Sequence, residues 1–246
     1  MFNVWEAAEE GQKTRSVTMT LRPLQKVWQN KIVTAGMLLE HMNKIDGNTV
    51  IRDRALFAFL YLTGARVQEV VRYNSKQQPW PSTEGIRKSQ VVVNPDDPER
   101  VTVWNVRCLK RKLRTYKKVQ KADALTGIVT TEKVVNDKLK APTYRNIAIR
   151  INNPEKPFWT ALQAYMDGLP ADSELFPFTP QNARQRLYKS GVHPHALRHQ
   201  RFTHYVDLYH MPSQQLRRQA GWASSATADH YVESQTDDIH NTMTPR

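Results

Sequence analysis

The spacing of apolar residues predicts helices over the first half of the chain. From Ala35 to Ile45 apolar side chains recur at intervals of three and four, and Asp46-Gly47-Asn48 ends that pattern. A second helix is predicted from about Thr49 to Leu62, with Gly64 as its C-terminal stop. A third begins near Ala65.

The helical pattern returns after Pro157 and continues almost to the end of the chain. The helices predicted there are Phe158 to Met166, Pro180 to Ser190, His195 to Tyr209, Ser213 to Ala220 and a short one near Thr227. Helix is therefore expected to dominate the fold.

Two segments instead carry the composition of strands. Val101 to Val106 and Asn146 to Ile151 are rich in β-branched residues, and the second alternates isoleucines with other residues. The stretch Asn74 to Pro98, rich in Pro, Ser and Gln, is expected to be a loop. The polar insertion Arg111 to Thr143 is too long for a tight hairpin and is expected to be mobile or partly helical. Together these patterns predict a mainly helical α+β fold with a small antiparallel β-sheet or hairpin.

Composition narrows the class of protein. The 246 residues carry 36 Lys and Arg against 23 Asp and Glu, a net charge of +13, which favours a polyanionic partner. No run of 18 apolar residues is present, so we expect no membrane-spanning helix. Cys108 is the single cysteine and excludes an internal disulfide. We expect an intracellular protein, cytoplasmic or associated with the nucleoid.

Most of the positive charge lies in one segment. Between Arg100 and Arg150 there are 14 basic residues and 3 acidic ones. The densest stretch contains Arg107, Lys110, Arg111, Lys112, Arg114, Lys117, Lys118 and Lys121. Such a run gains free energy on a phosphate backbone through release of counterions. Charge alone does not distinguish this role from a solvated loop, nor DNA from RNA or an anionic lipid surface.

Five of the eight histidines fall between His193 and His210. The sequence has no HExxH motif and no second cysteine, so we expect no metal site and no cofactor. His195 and Arg198, three residues apart on one helix face, suit phosphate chemistry better.

Further residues of the same chemical character lie elsewhere in the chain. The full candidate set is Arg66, Glu69, Lys110, His195, Arg198, Trp222 and Tyr231. Cations and N–H donors offset the charge on a pentacoordinate phosphorus, and a phenol can act as a covalent nucleophile. The set therefore fits phosphoryl transfer without a metal.

Three segments in order carry a family resemblance. Leu62-Thr63-Gly64-Ala65-Arg66-Val67-Gln68-Glu69 resembles the first motif of the tyrosine recombinases, the lambda-integrase and Xer family. His195-Ala196-Leu197-Arg198-His199 resembles their second motif, HxLRH. Gly221-Trp222, followed by Tyr231, has the spacing of their third motif, with Trp where most members carry His.

The resemblance implies a role for each matched residue. Tyr231 would attack a DNA phosphodiester and give a 3′-phosphotyrosyl link, while Arg66 and Arg198 would hold the phosphate oxygens. His195 would assist proton transfer or hold the phosphate, and Trp222 would donate its indole N–H to an oxygen. Lys110, the hairpin lysine, would protonate the leaving 5′-oxygen. Glu69 would support the site without taking part in the chemistry.

The resemblance also implies an organisation. Residues 1–20 form a lead-in and 21–246 a DNA breaking and rejoining domain, which contains the insertion 111–143 and ends in a tail, 232–246. The separate N-terminal DNA-clamping domain of the family is not expected in this chain, and the basic insertion could compensate by lying on the DNA backbone. The implied partners are double-stranded DNA and further copies of the chain, as a homotetramer on paired sites or a monomer when isolated. The implied setting is a virus or mobile element that integrates its DNA, with excision and dimer resolution open.

Two alternatives stay open at this stage. A type IB topoisomerase uses the same catalytic set to relax supercoiled DNA without exchanging partners. A non-catalytic module could bind DNA or RNA through the basic segment alone.

Overall fold

The computed structural model describes residues 34–73, 84–109, 116–122, 129–135, 143–229 and 231. Its helices are α1 (Ala35–Asn43), α2 (Val50–Thr63), α3 (Val67–Val70), α4 (Lys156–Asp167), α5 (Pro180–Tyr188), α6 (Pro194–Asp207) and α7 (Ser213–Ala220). Its strands are β1 (Val91–Asn94), β2 (Asp97–Arg107), β3 (Tyr116–Ala122), β4 (Val129–Val135) and β5 (Tyr144–Arg150). The predicted α+β class is confirmed.

Helix α2 is the centre of the domain. Every residue from Ala55 to Thr63 is buried, because α4 and α6 cover the helix and the rings of Phe57 and Tyr61 pack on Phe158. A helix that is apolar on all sides belongs in the interior. Gly64 ends it in the left-handed conformation (φ +59°), and an added Cβ would lie 3.1 Å from the Phe202 ring.

The small sheet has three strands rather than two. Its order is β1-β2-β5, all antiparallel, with Val103 of β2 opposite Val91 of β1 and Ile147 of β5. The predicted loop from Asn74 to Pro98 is therefore wrong in its second part. A 3₁₀ turn over Lys88–Gln90, strand β1 and the start of β2 lie there.

The insertion is also more regular than predicted. Strands β3 and β4 pair with each other in antiparallel register, from Tyr116 opposite Val135 to Ala122 opposite Val129. No helix occurs in the parts of residues 111–143 that the structure describes, so the expectation of partial helix is wrong there. Val129-Thr130-Thr131 and Val134-Val135 favour strand because their side chains are β-branched.

The remaining helices lie close to their predicted bounds. The third is shorter than the pattern indicated, a single turn, and α7 matches the prediction at both ends. Residues 226–229 form the short helical turn predicted near Thr227. Among the described helices none has both the length and the apolar character needed to cross a lipid bilayer. The lead-in 1–20 and the tail 232–246 lie outside the described residues.

Candidate active site

Arg66 is held in place by Glu69, one turn later on α3. The guanidinium of Arg66 donates to Oε1 of Glu69 at 2.7 Å, and its backbone N–H donates to Oε2 at 3.0 Å. Arg145, on strand β5, donates to the same Oε2 at 2.9 Å. One buried carboxylate therefore joins the N-terminus of α3 to the sheet.

The charge state of Glu69 follows from these contacts. Burial would raise the pKa of the carboxyl, but Arg145 and then Arg66 outweigh burial and lower the pKa to about 2. Glu69 is therefore ionised at neutral pH and neutralises part of the charge of its two arginines. Nε of Arg66 is buried and has no hydrogen-bond partner within the described structure.

Arg198 lies deeper, on α6. It is 2% exposed, and its guanidinium donates to the backbone oxygens of Gly64 and of Ala220, the latter at 3.1 Å. Burial and the nearby charge of Arg66 lower the pKa of Arg198 to about 9. An anion between the two guanidinium groups would relieve their repulsion.

Arg66 and Arg198 line one cavity of about 250 Å³, together with His195. Two residues that we did not select from the sequence, Arg184 of α5 and His193, complete its polar wall. Nδ1 of His193 accepts the backbone N–H of His195 at 3.1 Å and so caps the N-terminus of α6. Burial and the charge of Arg184 lower the pKa of His193.

Trp222 and Tyr231 lie together in an aromatic cluster beside Arg198. Their rings stack with centroids 5.5 Å apart and planes 18° from parallel. Phe202 packs against both, at 4.9 Å from the Trp222 ring and 6.1 Å from the Tyr231 ring. The Arg198 guanidinium carbon lies 4.5 Å from the Phe202 ring centre and 5.8 Å from that of Trp222. The cluster therefore connects the phenol to the cation that lines the cavity.

The environment of Tyr231 sets its protonation. Burial raises the pKa of the phenol to about 12, although Arg198 acts in the opposite direction. The phenol is therefore neutral near pH 7 and must lose its proton on attack. The ring of His199, the last residue of the second motif, lies 5.0 Å from the Tyr231 ring.

Gly221 directly precedes Trp222 and has a backbone conformation and close contacts that favour glycine. Its φ of +68° ends α7, and an added Cβ would lie 2.7 Å from both Nη1 of Arg145 and Sγ of Cys108. A side chain at this position would therefore displace Arg145, which holds Glu69 from the sheet side.

The basic candidates are described only in part. Lys110, Arg111, Lys112 and Arg114 lie outside the described residues, and Lys117, Lys118 and Lys121 are described only as backbone of β3. Arg107 ends β2, and the backbone N–H of Cys108 then donates to the oxygen of Thr143 at 2.8 Å. Cys108, two positions before Lys110 in the sequence, is thus hydrogen-bonded to the chain two positions before Arg145.

Arg145, Arg184 and His193 are the residues that sequence reasoning missed. Arg145 lies one position before the strand that we predicted, Asn146 to Ile151, and its partner Glu69 is 76 positions away in the chain. The sequence did contain a signal that His193 caps a helix, because His193 directly precedes Pro194 at the start of a predicted helix.

The chain is similar in structure to site-specific recombinases and to a transposon integrase. Against XerH site-specific recombinase bound to difH substrate, in a pre-cleavage complex, the TM-score is 0.45 at 13% identity over 81% of this chain. Against XerA recombinase the TM-score is 0.44 at 17% identity over 88% of this chain. Against the Tn1549 transposon integrase in complex with circular intermediate DNA the TM-score is 0.44 at 12% identity over 86% of this chain.

The chain spans 49% of that XerH chain, 64% of the XerA chain and 67% of the Tn1549 chain. No protein-family profile matches the sequence, and no curated protein does. Residues of the first two motifs, Arg66, His195 and Arg198, line the cavity, and Trp222 and Tyr231 of the third motif lie beside Arg198.

Proposed function

We propose that this chain is the catalytic domain of a tyrosine site-specific recombinase or integrase. The observation that carries the proposal is the meeting of Arg66, His195 and Arg198 in one cavity, although 129 positions separate the first two in the chain. Two cations that repel each other, one of them with an unpartnered buried N–H, make a site for a phosphodiester.

Tyr231 is the nucleophile in this mechanism. Its oxygen forms a bond to phosphorus while the bond from phosphorus to the 5′-oxygen breaks, which leaves a 3′-phosphotyrosyl link and a free 5′-hydroxyl. His195 receives the phenolic proton or holds the phosphate, and Lys110 supplies a proton to the leaving oxygen. The energy of the broken bond is kept in the new one, so rejoining needs neither ATP nor a metal.

The cations supply most of the stabilisation. Arg66 and Arg198 bind the non-bridging oxygens, and Trp222 donates its indole N–H as negative charge develops on phosphorus. Glu69 stays ionised and positions Arg66. By the same proposal the protein acts inside the cell as a homotetramer that exchanges strands between two paired double-stranded sites.

A suicide duplex tests the chemistry. The probe is a pool of nicked DNA duplexes with randomised sequence beside the nick, so that cleavage releases a short strand and traps the covalent product. Wild-type protein is expected to give a DNA adduct resistant to denaturation, and Tyr231→Phe none. Tyr209→Phe is the matched control, because Tyr209 is a half-buried phenol that donates to Glu155 at 2.5 Å. An adduct that persists in Tyr231→Phe, or that wild type never forms, overturns the proposal.

Supercoil relaxation separates the two catalytic alternatives. A recombinase is expected to give products that join two different duplexes, with a rate that rises steeply with protein concentration. Relaxation at a rate proportional to monomer, with no joined products, would assign the chain to the type IB topoisomerases instead.

A further inference from the structure

A second cavity, of about 490 Å³, lies between the end of α7 and the start of β5. It shares no lining residue with the cavity of Arg66 and His195. Arg145, Arg217 and Arg218 line it, and its described lining contains no Asp or Glu. Three arginines thus line one space, and of these Arg145 has its charge partly offset by Glu69 behind it.

Arg217 and Arg218 are held by their backbone and not by a salt bridge. Their carbonyl oxygens accept the N–H groups of Trp222 and Gly221, at 3.1 and 3.2 Å, so the end of α7 is fixed. Their side chains make no ion pair with a carboxylate in the part of the chain that the structure describes. Arg217 is half-buried and Arg218 is exposed, so both are open to a ligand.

Arg145 forms the inner wall of the cavity. Its side chain is only 5% exposed, and its two terminal nitrogens are occupied by Glu69 and by Sγ of Cys108, the latter at 3.4 Å. Nε is buried and has no partner within the described structure. A buried cation with an unused N–H gives this cavity a fixed positive side.

Trp222 connects this cavity to the candidate nucleophile. Its ring lines the cavity and also stacks on Tyr231. A DNA strand carries one phosphate per about 3.4 Å of helix axis, so the phosphates that flank the one attacked by Tyr231 follow at short intervals along the strand.

We propose that this second cavity binds another phosphate of the DNA strand, one that flanks the phosphate attacked by Tyr231. Arg217 and Arg218 contact its oxygens, and Arg145 supplies the positive field behind them. The site fixes the register of the strand, since phosphate contacts position a protein on DNA. This inference rests on the proposed function for the identity of the strand.

Salt dependence of binding gives the first test. The probe is a labelled 30-base-pair duplex of arbitrary sequence, and the variant is Arg217→Gln with Arg218→Gln in the full chain. The slope of log K against log salt is expected to fall by about one, because the two arginines contact one phosphate and each lost phosphate contact lowers the slope by about one. The control, Lys44→Gln with Lys189→Gln, removes two exposed charges that also lie at helix C-termini, and the slope is expected to stay at the wild-type value. Equal slopes for the two double variants overturn the proposal.

Chemical protection of the arginines gives a local test. Phenylglyoxal modifies accessible guanidinium groups, and mass spectrometry reports each site. The duplex is expected to slow modification of Arg217 and Arg218 at least tenfold, while inorganic phosphate at equal ionic strength leaves it unchanged. Equal protection by inorganic phosphate assigns the cavity to small free anions, and absence of protection by the duplex removes the site; either result overturns the proposal.

Both tests are run in the Tyr231→Phe background, which binds DNA without reacting. Failure of the suicide-duplex experiment contradicts the proposed chemistry and leaves these binding results standing. If wild type forms the covalent DNA adduct and the two double variants have equal salt slopes, only the second phosphate site is contradicted. The two failures are therefore distinguishable.

Discussion

Trp222 combines two properties that a single substitution can separate. Its ring stacks on Tyr231 and packs against Phe202, while its indole N–H is the donor that the proposed mechanism uses. Histidine, the residue that the resemblance leads us to expect at this position, is also an N–H donor but offers a smaller ring. The proposed chemistry therefore needs an N–H donor at position 222, whereas the packing needs a large aromatic ring.

Trp222→Phe keeps an aromatic ring and removes the donor. A hydrogen bond to a charged group contributes about 1.5–3 kcal/mol, so adduct formation is expected to slow by roughly 10- to 100-fold. Trp222→His keeps a donor and is expected to react faster than Trp222→Phe. The measurement is the single-turnover rate on the suicide duplex, with thermal unfolding as the control for folding. Reaction of Trp222→Phe at the wild-type rate would show that only the ring matters.

At the scale of elements, Glu69 is the point where α3 and β5 meet. Its carboxylate accepts hydrogen bonds from Arg66 and from Arg145, and its pKa is lowered to about 2 from an ordinary value near 4.5. A carboxyl whose pKa is lowered in the folded state contributes its stability fully above about pH 4.5, and that contribution is lost as the pH falls towards 2.

Glu69→Gln is expected to remove this part of the acid sensitivity. A lowering from 4.5 to about 2 corresponds to about 3 kcal/mol of unfolding free energy in wild type, lost between pH 4.5 and 2. Urea unfolding at steps between pH 5 and 2 measures the loss. Asp97→Asn is the control, because the salt bridge between Asp97 and Arg150 lies at the surface, where solvent screens the charges. The loss of unfolding free energy between pH 5 and 2 is expected to stay close to the wild-type value in this variant. If the unfolding free energy of Glu69→Gln falls between pH 5 and 2 as much as that of wild type, the buried pairing of Glu69 with its arginines does not cause the loss.

The same elements show which parts of the structure a sequence can reveal. Periodic apolar spacing located α4 closely, because burial of one helix face imposes that spacing, whereas α2 was located by its dense apolar residues and by Gly64 at its end. It missed β1, because Val91-Val92-Val93 does not alternate and lies in a stretch rich in polar residues. Motif spacing selected Arg66, Arg198 and Tyr231 as candidates, but Arg145 contacts a partner 76 positions away, and no local pattern records that pairing.

On the scale of the whole molecule, most of the positive charge and most of the candidate chemistry lie on separate parts of the chain, and Lys110 is the candidate that belongs to both. The hairpin of β3 and β4 pairs only with itself among the described strands, and the three-stranded sheet is complete without it. The ends of the hairpin, Tyr116 and Val135, lie opposite each other. The hairpin can therefore be altered without breaking the pairs that anchor β2 and β5.

Neutralising the hairpin is expected to weaken DNA binding without harming the fold. In Lys117→Gln with Lys118→Gln and Lys121→Gln the strand pairing stays, and only three charges of β3 are lost. If the hairpin lies on the DNA backbone, the slope of log K against log salt falls by as much as three, since each phosphate contact contributes about one. A second variant replaces Tyr116–Val135 by Gly-Ser and is expected to show at least the same loss of slope with an unchanged melting temperature. Unchanged slopes in both variants would mean that the net charge of +13 acts through other parts of the surface.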